Sequence, residues 1–432
     1  MKLNNVKFGA LVMVASLTLG TVSCKKDGCT DETATNYDSK AKKDDGSCVY
    51  EETPVAGTVN KAGNITANET WTADNIYILT GKVVVNSGVT LTIQPGTIIK
   101  GAEGTGTLAS ALVVAQGGKL NAAGTAALPI IFTSVLDNIT VGQLTGTNLD
   151  ENDQGLWGGL IILGYAPISA ADGDVLSQIE GIPASDAFGA FGGSNSSDDS
   201  GDLAYISIRH GGALIGAGNE INGLTLGGVG SGTSISNIEV VSNLDDGIEF
   251  FGGTVNVSNV LIGHQGDDGI DIDMNYSGTI TNFVVINGVN SDKSLEVDGP
   301  EGTTNTSGLF TLLNGTTNGT GDFKSKAQGT TNNVKIGIAK IRASYQNACA
   351  DPKADAFVYL TKGSPTLVFT GAEFTSVLVY TASDDGGSPA TACSVFAIDQ
   401  TAAEGSMTSA TASGFASAGF ASWTWMGVNN KL

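Results

Sequence analysis

The sequence predicts an all-β fold, a single-stranded right-handed parallel β-helix, from short apolar runs and two repeated columns of residues. From residue 75 onward, runs rich in β-branched residues alternate with turns of Gly, Asn and Asp, without a sustained helical period. A polar, small, apolar tripeptide recurs with a period in the low twenties, which is typical of a solenoid. The tripeptides are Glu180–Ile182, Asn222–Leu224, Asp246–Ile248, Asp268–Ile270 and Lys293–Leu295.

A second column of residues, mostly asparagines, recurs with a similar spacing and supports the same register. Its members each precede an apolar strand, and asparagines stacked at a turn can hydrogen-bond one another along the axis. Each coil then lies about 4.8 Å from the previous one, in parallel sheets. The interval between the tripeptides at Glu180 and Asn222 is longer than the later intervals, because it contains the polar run 192–202. This interval holds either one coil with a loop or two coils. The members of the column are Tyr205, Asn237, Asn259 and Asn282.

The predicted β-helix covers residues 55–345, and residues 346–432 supply the last coils and a cap. Sixty glycines and an aromatic content of 6% suit a narrow interior filled by small β-branched side chains, with Gly and Asn at the turns. An array of β-sandwiches is the alternative architecture.

The N-terminus is expected to direct export. Residues 1–23 carry two lysines, an apolar run too short to span a bilayer and then small residues, which is typical of a signal peptide. The stretch Thr21–Cys24 resembles a bacterial lipobox, which implies lipidation of Cys24, whereas a free thiol is the alternative. Residues 24–54 then form a lipidated tether. The four remaining cysteines are expected to pair as Cys29 with Cys48 and Cys349 with Cys393.

Composition restricts the partners. Forty-three acidic residues against 21 Lys and Arg give a formal net charge of -22. Nucleic acid is excluded as a partner, because phosphate binding needs clustered cations. A polyanion is disfavoured too, unless a divalent cation bridges it to the protein.

Several stretches resemble a family of β-helix surface lipoproteins of the Bacteroidota. They are "GLWGGLIILGYAPIS", "YISIRHGGALIGAGNEINGLTLGGVG" and "NLDDGIEFFGGTVNVSNV". The segment 28–50 resembles a short Cys-bounded module of such proteins, and residues 25–27 resemble their surface-export tag. The resemblance implies a lipoprotein of the outer membrane exposed at the cell surface, and it leaves the activity open.

The repeat register places carboxylates in two outward columns, because strand residues alternate between interior and exterior. Stacked carboxylates repel one another by roughly 3 kcal/mol per pair at an effective dielectric near 20. Calcium would offset this repulsion and suits an all-oxygen ligand set. Protonation and pairing with Lys293, Lys324 and Lys326 are the alternatives. The candidate metal ligands are Glu249, Asp271 and Glu296 in one column and Asp273 and Asp298 in the other, and the register is expected to continue these columns to Lys324 and Lys326.

The same face has an enzymatic interpretation. The motifs "NLDDGIE" and "GDDGIDI" are similar to the two aspartate motifs of polygalacturonase-type glycosidases, which implies Asp246, Asp267 and Asp268 as catalytic carboxylates. The next coil departs from that pattern, with "NGVNSDKS" in place of Gly-His-Gly. His264 stands just before the turn that contains Asp267 and Asp268, as a proton carrier or as a hydrogen-bond partner of a turn carboxylate. Lys293 or Lys324 would be the base of a calcium-assisted lyase.

The leading interpretation is a non-catalytic cell-surface lipoprotein. Its acidic, calcium-binding face would bind a glycan or an envelope partner, and a polysaccharide-degrading enzyme using that face is the alternative. Sugars stack on exposed aromatic rings. Trp157, Tyr165 and Tyr276 are the candidate rings, with core packing as their other role.

Overall fold

The computed structural model describes two compact units of the chain, Met1–Val55 and Ala56–Leu432. Within the described residues, no helix is long and apolar enough to cross a membrane. The described residues are 26–32, 34, 36–48, 57–171, 173–183, 186–214, 220–346, 351–352, 355–363, 365–380, 396–407 and 411–432.

A disulfide holds the N-terminal unit together. Cys29 and Cys48 are bonded, which confirms the predicted pair. A backbone hydrogen bond from Asp38 N to Cys29 O, at 3.0 Å, also links the two sides of this disulfide-closed loop. Cys24, Cys349 and Cys393 lie outside the described residues, so lipidation and the second disulfide stay predictions.

The second unit is a right-handed parallel β-helix, as predicted. Twenty-two of the strands in the described residues form one continuous ladder that winds through three parallel faces. Face A includes the start of β14 (Ser234–Val241) over the start of β16 (Asn256–Gly263), and face B includes the second halves of the same strands. Face C includes β15 (Ile248–Phe251) over β17 (Ile270–Asp273). The strands of the first coils are β1 (Gly57–Ile65), β2 (Glu69–Trp71), β3 (Asn75–Val85), β4 (Thr90–Ile93), β5 (Ile98–Gly101), β6 (Ala111–Val114), β7 (Lys119–Ala123), β8 (Ile130–Ser134) and β9 (Leu160–Leu163).

The middle coils are the most regular part of the unit. Each contains one long strand that crosses faces A and B, followed by a short strand in face C. The strands of this part of the chain are β10 (Leu176–Gln178) and β11 (Ala190–Gly192), which form a separate pair, and then β12 (Gly201–Arg209), β13 (Leu224–Gly227), β14 (Ser234–Val241), β15 (Ile248–Phe251), β16 (Asn256–Gly263), β17 (Ile270–Asp273), β18 (Thr279–Ile286) and β19 (Leu295–Val297).

The asparagine column forms the bend between faces A and B. Asn259, Asn282 and Asn314 adopt φ angles between 55° and 60°, a left-handed conformation that asparagine tolerates better than most residues. Asn282 Nδ2 donates to Asn259 Oδ1 at 3.1 Å, and Asn314 Nδ2 donates to Asn282 Oδ1 at 3.3 Å. The predicted ladder is confirmed from Asn259 onward and continues to Asn333, whereas the amide of Asn237 donates to Ser236 Oγ.

Alternation along each strand builds the core. In β15, Ile248 and Phe250 point into the coil, where they join one cluster that runs through the whole solenoid, while Glu249 points out. Burial of such side chains contributes about 25 cal/mol per Å² of apolar area.

An insertion between β9 and β12 covers part of face C. It contains the antiparallel pair β10 and β11, and it packs Ile179, Ile182 and Phe191 on outward residues such as Val113 and Ile161. The tripeptide at Glu180 lies in this insertion, so its assignment to the repeat was wrong. Leu160 is the residue that pairs with Leu224.

The coils continue past residue 345, as far as Tyr380, before the remaining chain folds back. Helices α1 and α2 contact the last coils, and the final segment packs Trp425 and Met426 on the outside of face B. The elements are β20 (Phe310–Thr317), β21 (Thr320–Phe323), β22 (Gly329–Arg342), β23 (Tyr345–Gln346), β24 (Asp351–Pro352), α1 (Ala356–Lys362), β25 (Leu367–Thr370), β26 (Glu373–Tyr380), α2 (Phe396–Ser406) and α3 (Trp425–Val428), with short 3-10 helices at Gly106–Leu108, Ala187–Gly189 and Ser417–Phe420.

Candidate functional site

One outward column of face C changes from apolar to acidic along the solenoid. The insertion covers its apolar part, and the acidic part follows where β15 begins. Ladder pairing places Glu249, Asp271 and Glu296 in successive coils, in the register predicted from the tripeptides. The whole column reads Val84, Val113, Ile161, Thr225, Glu249, Asp271, Glu296, Asp322 and Lys340.

The expectation for the end of the column was off by two residues. Asp322, not Lys324, follows Glu296, and Lys324 instead continues the neighbouring column after Asp298. Gly321 takes the place of the inward Leu295 of the previous coil. The apolar side chain from which the register is assigned is therefore absent in this coil. Lys340 closes the column with a salt bridge to Asp322 at 2.9 Å.

The turn before face C forms a third column, which consists of Asn222, Asp246, Asp268 and Lys293. Asp246 Oδ1 accepts a hydrogen bond from Asp268 N at 2.9 Å, and Asp268 Oδ1 accepts one from Lys293 N at 2.8 Å. Both carboxyls therefore bind the backbone of the next coil. Asp267 and Asp292 are exposed on the same turns.

Two lysines neutralise one half of the carboxylates. Lys293 Nζ lies 2.6 Å from Glu296 Oε2, 2.7 Å from Asp292 Oδ2 and 3.3 Å from Asp268 Oδ2. Lys324 contacts Glu296 and lies 3.5 Å from Asp298 Oδ2. Burial alone would raise the pKa of Glu296, but hydrogen bonds from Asp268, Lys293 and Lys324 lower it to about 2.

The other half has no such partner. One oxygen each of Asp246, Glu249 and Asp271 lie within 4.8 Å of one another. Among the described residues, no Lys or Arg forms a salt bridge with any of the three. We call these three residues the lysine-free cluster. Burial raises the pKa of each carboxyl well above its usual range, and the mutual repulsion of the carboxylates adds to the effect.

Two unsatisfied oxygens lie in or beside the lysine-free cluster. Asp271 Oδ1 is buried without a hydrogen-bond partner among the described residues, and so is Oδ1 of Asn222, whose amide nitrogen donates to Glu249. An unpaired buried acceptor costs about 1–3 kcal/mol. Carboxylate and amide oxygens are the ligands that Ca²⁺ prefers. The donor set therefore fits calcium, which Asp246, Glu249 and Asp271 would hold with Asn222 beside them.

The remaining acidic residues surround this centre. Burial raises the pKa of Asp273 to about 8 and that of Asp298 to about 6, with repulsion from neighbouring carboxylates adding to both. Burial and then Glu180 of the insertion raise the pKa of Asp245 to about 7. The surrounding turns partly desolvate the Asp267 carboxyl, although the residue is exposed, and this raises its pKa. The predicted metal ligands thus fall into lysine-free and lysine-paired groups.

His264 does not join the carboxylates. It occupies the same position of its coil as His210 and Ser242 do of theirs, and all three have φ between 56° and 58°. However, its side chain lines a separate pocket with Glu151, and no hydrogen bond joins it to Asp267 or Asp268 within the described part of the chain. His210 is fully buried, and its Nδ1 lies 2.7 Å from Asp153 O.

The aromatic candidates are mostly core residues. Trp157 and Tyr276 are buried in the main cluster, so they cannot stack on a sugar. Tyr165 is 38% exposed. Asn222 escaped prediction as a site residue, because its Asn-Gly dipeptide also has the composition of an ordinary turn. The signal available was its position in the same turn column as Asp246 and Asp268.

The fold and the outward carboxyls define a class, that of parallel β-helix proteins with an acidic face on one sheet. Residues 63–424 match the family model of the pectate-lyase-like β-helix domain, and the chain belongs to that family. The comparisons found no significant match among the curated proteins or the solved structures.

Proposed function

We propose that the acidic face binds Ca²⁺ and that the bound cation recruits an acidic polysaccharide, without cleaving it. The observation that carries this proposal is the lysine-free cluster, whose three oxygens lie within 4.8 Å of one another. Calcium would remove the repulsion among these carboxylates and would satisfy the unpaired oxygen of Asp271.

The surroundings of the cluster favour an anionic ligand once calcium is present. Lys293 and Lys324 lie on the adjacent coils, and Lys340 lies beyond them in the same outward column. Calcium and these lysines together would offset part of the negative charge of the face. A uronate carboxylate could then complete the calcium coordination, since the cation takes 6–8 oxygen ligands. Membership of the pectate-lyase-like β-helix family supports a polysaccharide as the partner.

Two features favour binding over cleavage. Inverting glycosidases hold their carboxyl groups about 6.5–9.5 Å apart to leave room for water. Here, oxygens of Asp267 and Asp268 lie within 4.8 Å of one another, and the same limit holds for Asp246 and Asp267. Lys293 is a poor base, because Asp268, Asp292 and Glu296 raise its pKa against the opposing effect of burial.

The second candidate is polysaccharide cleavage, and Asp268 is the residue that favours it. Burial and the adjacent Glu296 raise the pKa of Asp268 to about 8. A carboxyl that is protonated at neutral pH can act as a general acid. Asp268 and Glu296 are hydrogen-bonded to each other, so one proton is shared between them.

A polysaccharide panel separates the two candidates. Residues 55–432 would be tested against neutral and acidic polysaccharides by affinity electrophoresis in Ca²⁺ and in EDTA, while reducing ends and unsaturated products are followed. We expect acidic polysaccharides to retard the protein only in Ca²⁺, with no products. Products lost in Asp268→Asn would establish the enzyme, and retardation that persists in EDTA would contradict the calcium bridge.

We also propose that the chain is an outer-membrane lipoprotein exposed at the cell surface. The lipobox-like stretch ending at Cys24 and the tag-like residues 25–27 support this location. Radiolabelled palmitate should label the wild-type protein and not Cys24→Ala, and protease added to whole cells should degrade it. Unlabelled wild-type protein would refute the lipid anchor, and resistance on intact cells with digestion after lysis would refute surface exposure.

A further inference from the structure

We propose that the acidic face binds the end of an acidic polysaccharide chain and not its interior, a specificity that rests on the calcium bridge proposed above. The face is a narrow strip, because each strand of face C contributes only two outward side chains, such as Asp271 and Asp273. These side chains lie about 7 Å apart across the strip, whereas the four coil steps from Glu249 to Lys340 span about 19 Å along the axis. A linear polysaccharide therefore makes its longest contact along the solenoid axis.

Charge favours the same direction. Lys324 and Lys340 lie further along the strip than the lysine-free cluster, and their side chains are partly accessible to solvent. On the turn beside the strip, Asp267 is exposed and would repel a polyanion that crossed the strip. The polysaccharide is therefore expected to extend from the calcium toward Lys340.

The insertion blocks the opposite direction. Thr225 precedes Glu249 in the outward column and is only 2% exposed. Ile161 precedes Thr225 and is buried in one apolar cluster with residues of the insertion. In the neighbouring column, Phe251 packs against Phe191 of the insertion, with the ring centroids 5.9 Å apart. A chain on the strip must therefore end at the lysine-free cluster, because the insertion occupies the place of the next sugar ring.

Hydrogen bonds hold the insertion against the coils of the cluster. Ser169 N donates to Met274 O at 3.0 Å, and Asn305 Nδ2 donates to Ile168 O at 2.7 Å. Met274 and Asn305 both follow Glu249 along the chain, so the insertion is bonded to coils beyond the position that it blocks. The closed end is thus part of the folded structure.

The other end of the strip is open in the described part of the chain. Leu378 follows Lys340 in the outward column and is 45% exposed. The exposed fraction of the column thus rises from 2% at Thr225 to 45% at Leu378. A site that is closed at one end and open at the other admits the end of a chain, whereas the interior of a chain needs both ends open.

The number of protein molecules bound per polysaccharide chain tests this specificity. The protein would be mixed with polygalacturonate and, separately, with alginate, in Ca²⁺ below the gelling concentration, and followed by sedimentation velocity. Each polysaccharide would be used as a short and a long size fraction of known chain concentration. At saturation we expect the same number of protein molecules per chain in both fractions, and no more than one for each chain end. Interior binding would instead load the long chains in proportion to their length.

Oligosaccharides of the same uronates test the direction. Leu378→Asp should weaken the binding of hexamers several-fold and leave dimers unchanged, because only the longer chain reaches that coil from the closed end. Leu378→Asn is the matched uncharged control and should bind both as the wild type does. More protein on long chains than on short ones, or the absence of a hexamer-specific loss in Leu378→Asp, would overturn end recognition and leave the calcium bridge intact. Absence of binding to either polysaccharide would overturn both.

Discussion

Calcium should raise the melting temperature of the β-helix through the lysine-free cluster, and Asp271→Asn should abolish the increase. Two ionised carboxylates 4.8 Å apart repel by about 3.5 kcal/mol at an effective dielectric of 20. In the calcium-free protein, the raised pKa values of these carboxyls favour their protonated forms, which reduces this cost. Calcium takes the place of those protons.

The size of the effect follows from mass action. A ligand at 100 times its Kd stabilises the folded state by about 2.7 kcal/mol. An unfolding entropy of about 2.1 cal/mol/K per residue is about 0.8 kcal/mol/K for the unit Ala56–Leu432. The melting temperature should therefore rise by about 3 °C. Asp271→Asn removes one charged ligand, and Glu249→Gln should have the same effect.

Scanning calorimetry in Ca²⁺, Mg²⁺ and EDTA measures this shift. Asp298→Asn is the matched control, because Lys324 already lies 3.5 Å from that carboxylate and the cluster does not need it. The control should keep the full calcium shift. Equal loss in Asp298→Asn and Asp271→Asn, or no shift at millimolar calcium, would refute the assignment of the cation to the lysine-free cluster.

Three further predictions concern pH and the fold. The folded pKa values of Asp245, Asp268 and Asp273 are about 7 to 8, against about 3.9 in the unfolded chain, so the folded state binds more protons between these values. In EDTA, the free energy of unfolding by urea should therefore decrease from about pH 4 to about pH 8, and an increase across that window would contradict the pKa assignments. Glu239 is fully buried and accepts hydrogen bonds from Trp425 N and Met426 N. Glu239→Ala should therefore lower the free energy of unfolding by about 3 kcal/mol or more and should make the C-terminal segment sensitive to protease. Unchanged protease resistance would show that the segment docks without Glu239. Asn282→Ala should lower the free energy of unfolding in urea by about 2 kcal/mol, because it places alanine at φ 60° and removes two hydrogen bonds of the asparagine ladder. A change near zero would mean that the ladder adds nothing to stability.

The sequence predicted the part of the fold in which each coil repeats its own turn chemistry. Asp246, Asp268 and Lys293 occupy equivalent turn positions, so the faces of the following strands could be assigned correctly. The assignment failed at Glu180, because an insertion can contain a tripeptide of the right composition without joining the ladder. It failed again near Lys324, where Gly321 lacks the side chain that marks the interior.

The division of the acidic face could not be predicted. Whether Lys293 reaches Glu296 or Asp271 depends on side-chain direction and on the path of the turn, and one-dimensional spacing contains neither. The same reason explains His264, whose turn directs the imidazole toward Glu151 and away from the carboxylates. Asn222 was missed because turn composition and ligand composition coincide in Asn-Gly and Asp-Gly pairs.

Anomalous X-ray scattering from crystals of residues 55–432 grown with calcium chloride tests the central claim most directly. The proposed site predicts one strong peak coordinated by oxygens of Asp246, Glu249 and Asp271, absent from crystals of Asp271→Asn grown in the same way. A peak between Glu296 and Asp298, or a face without a peak while calcium binds elsewhere, would contradict the account.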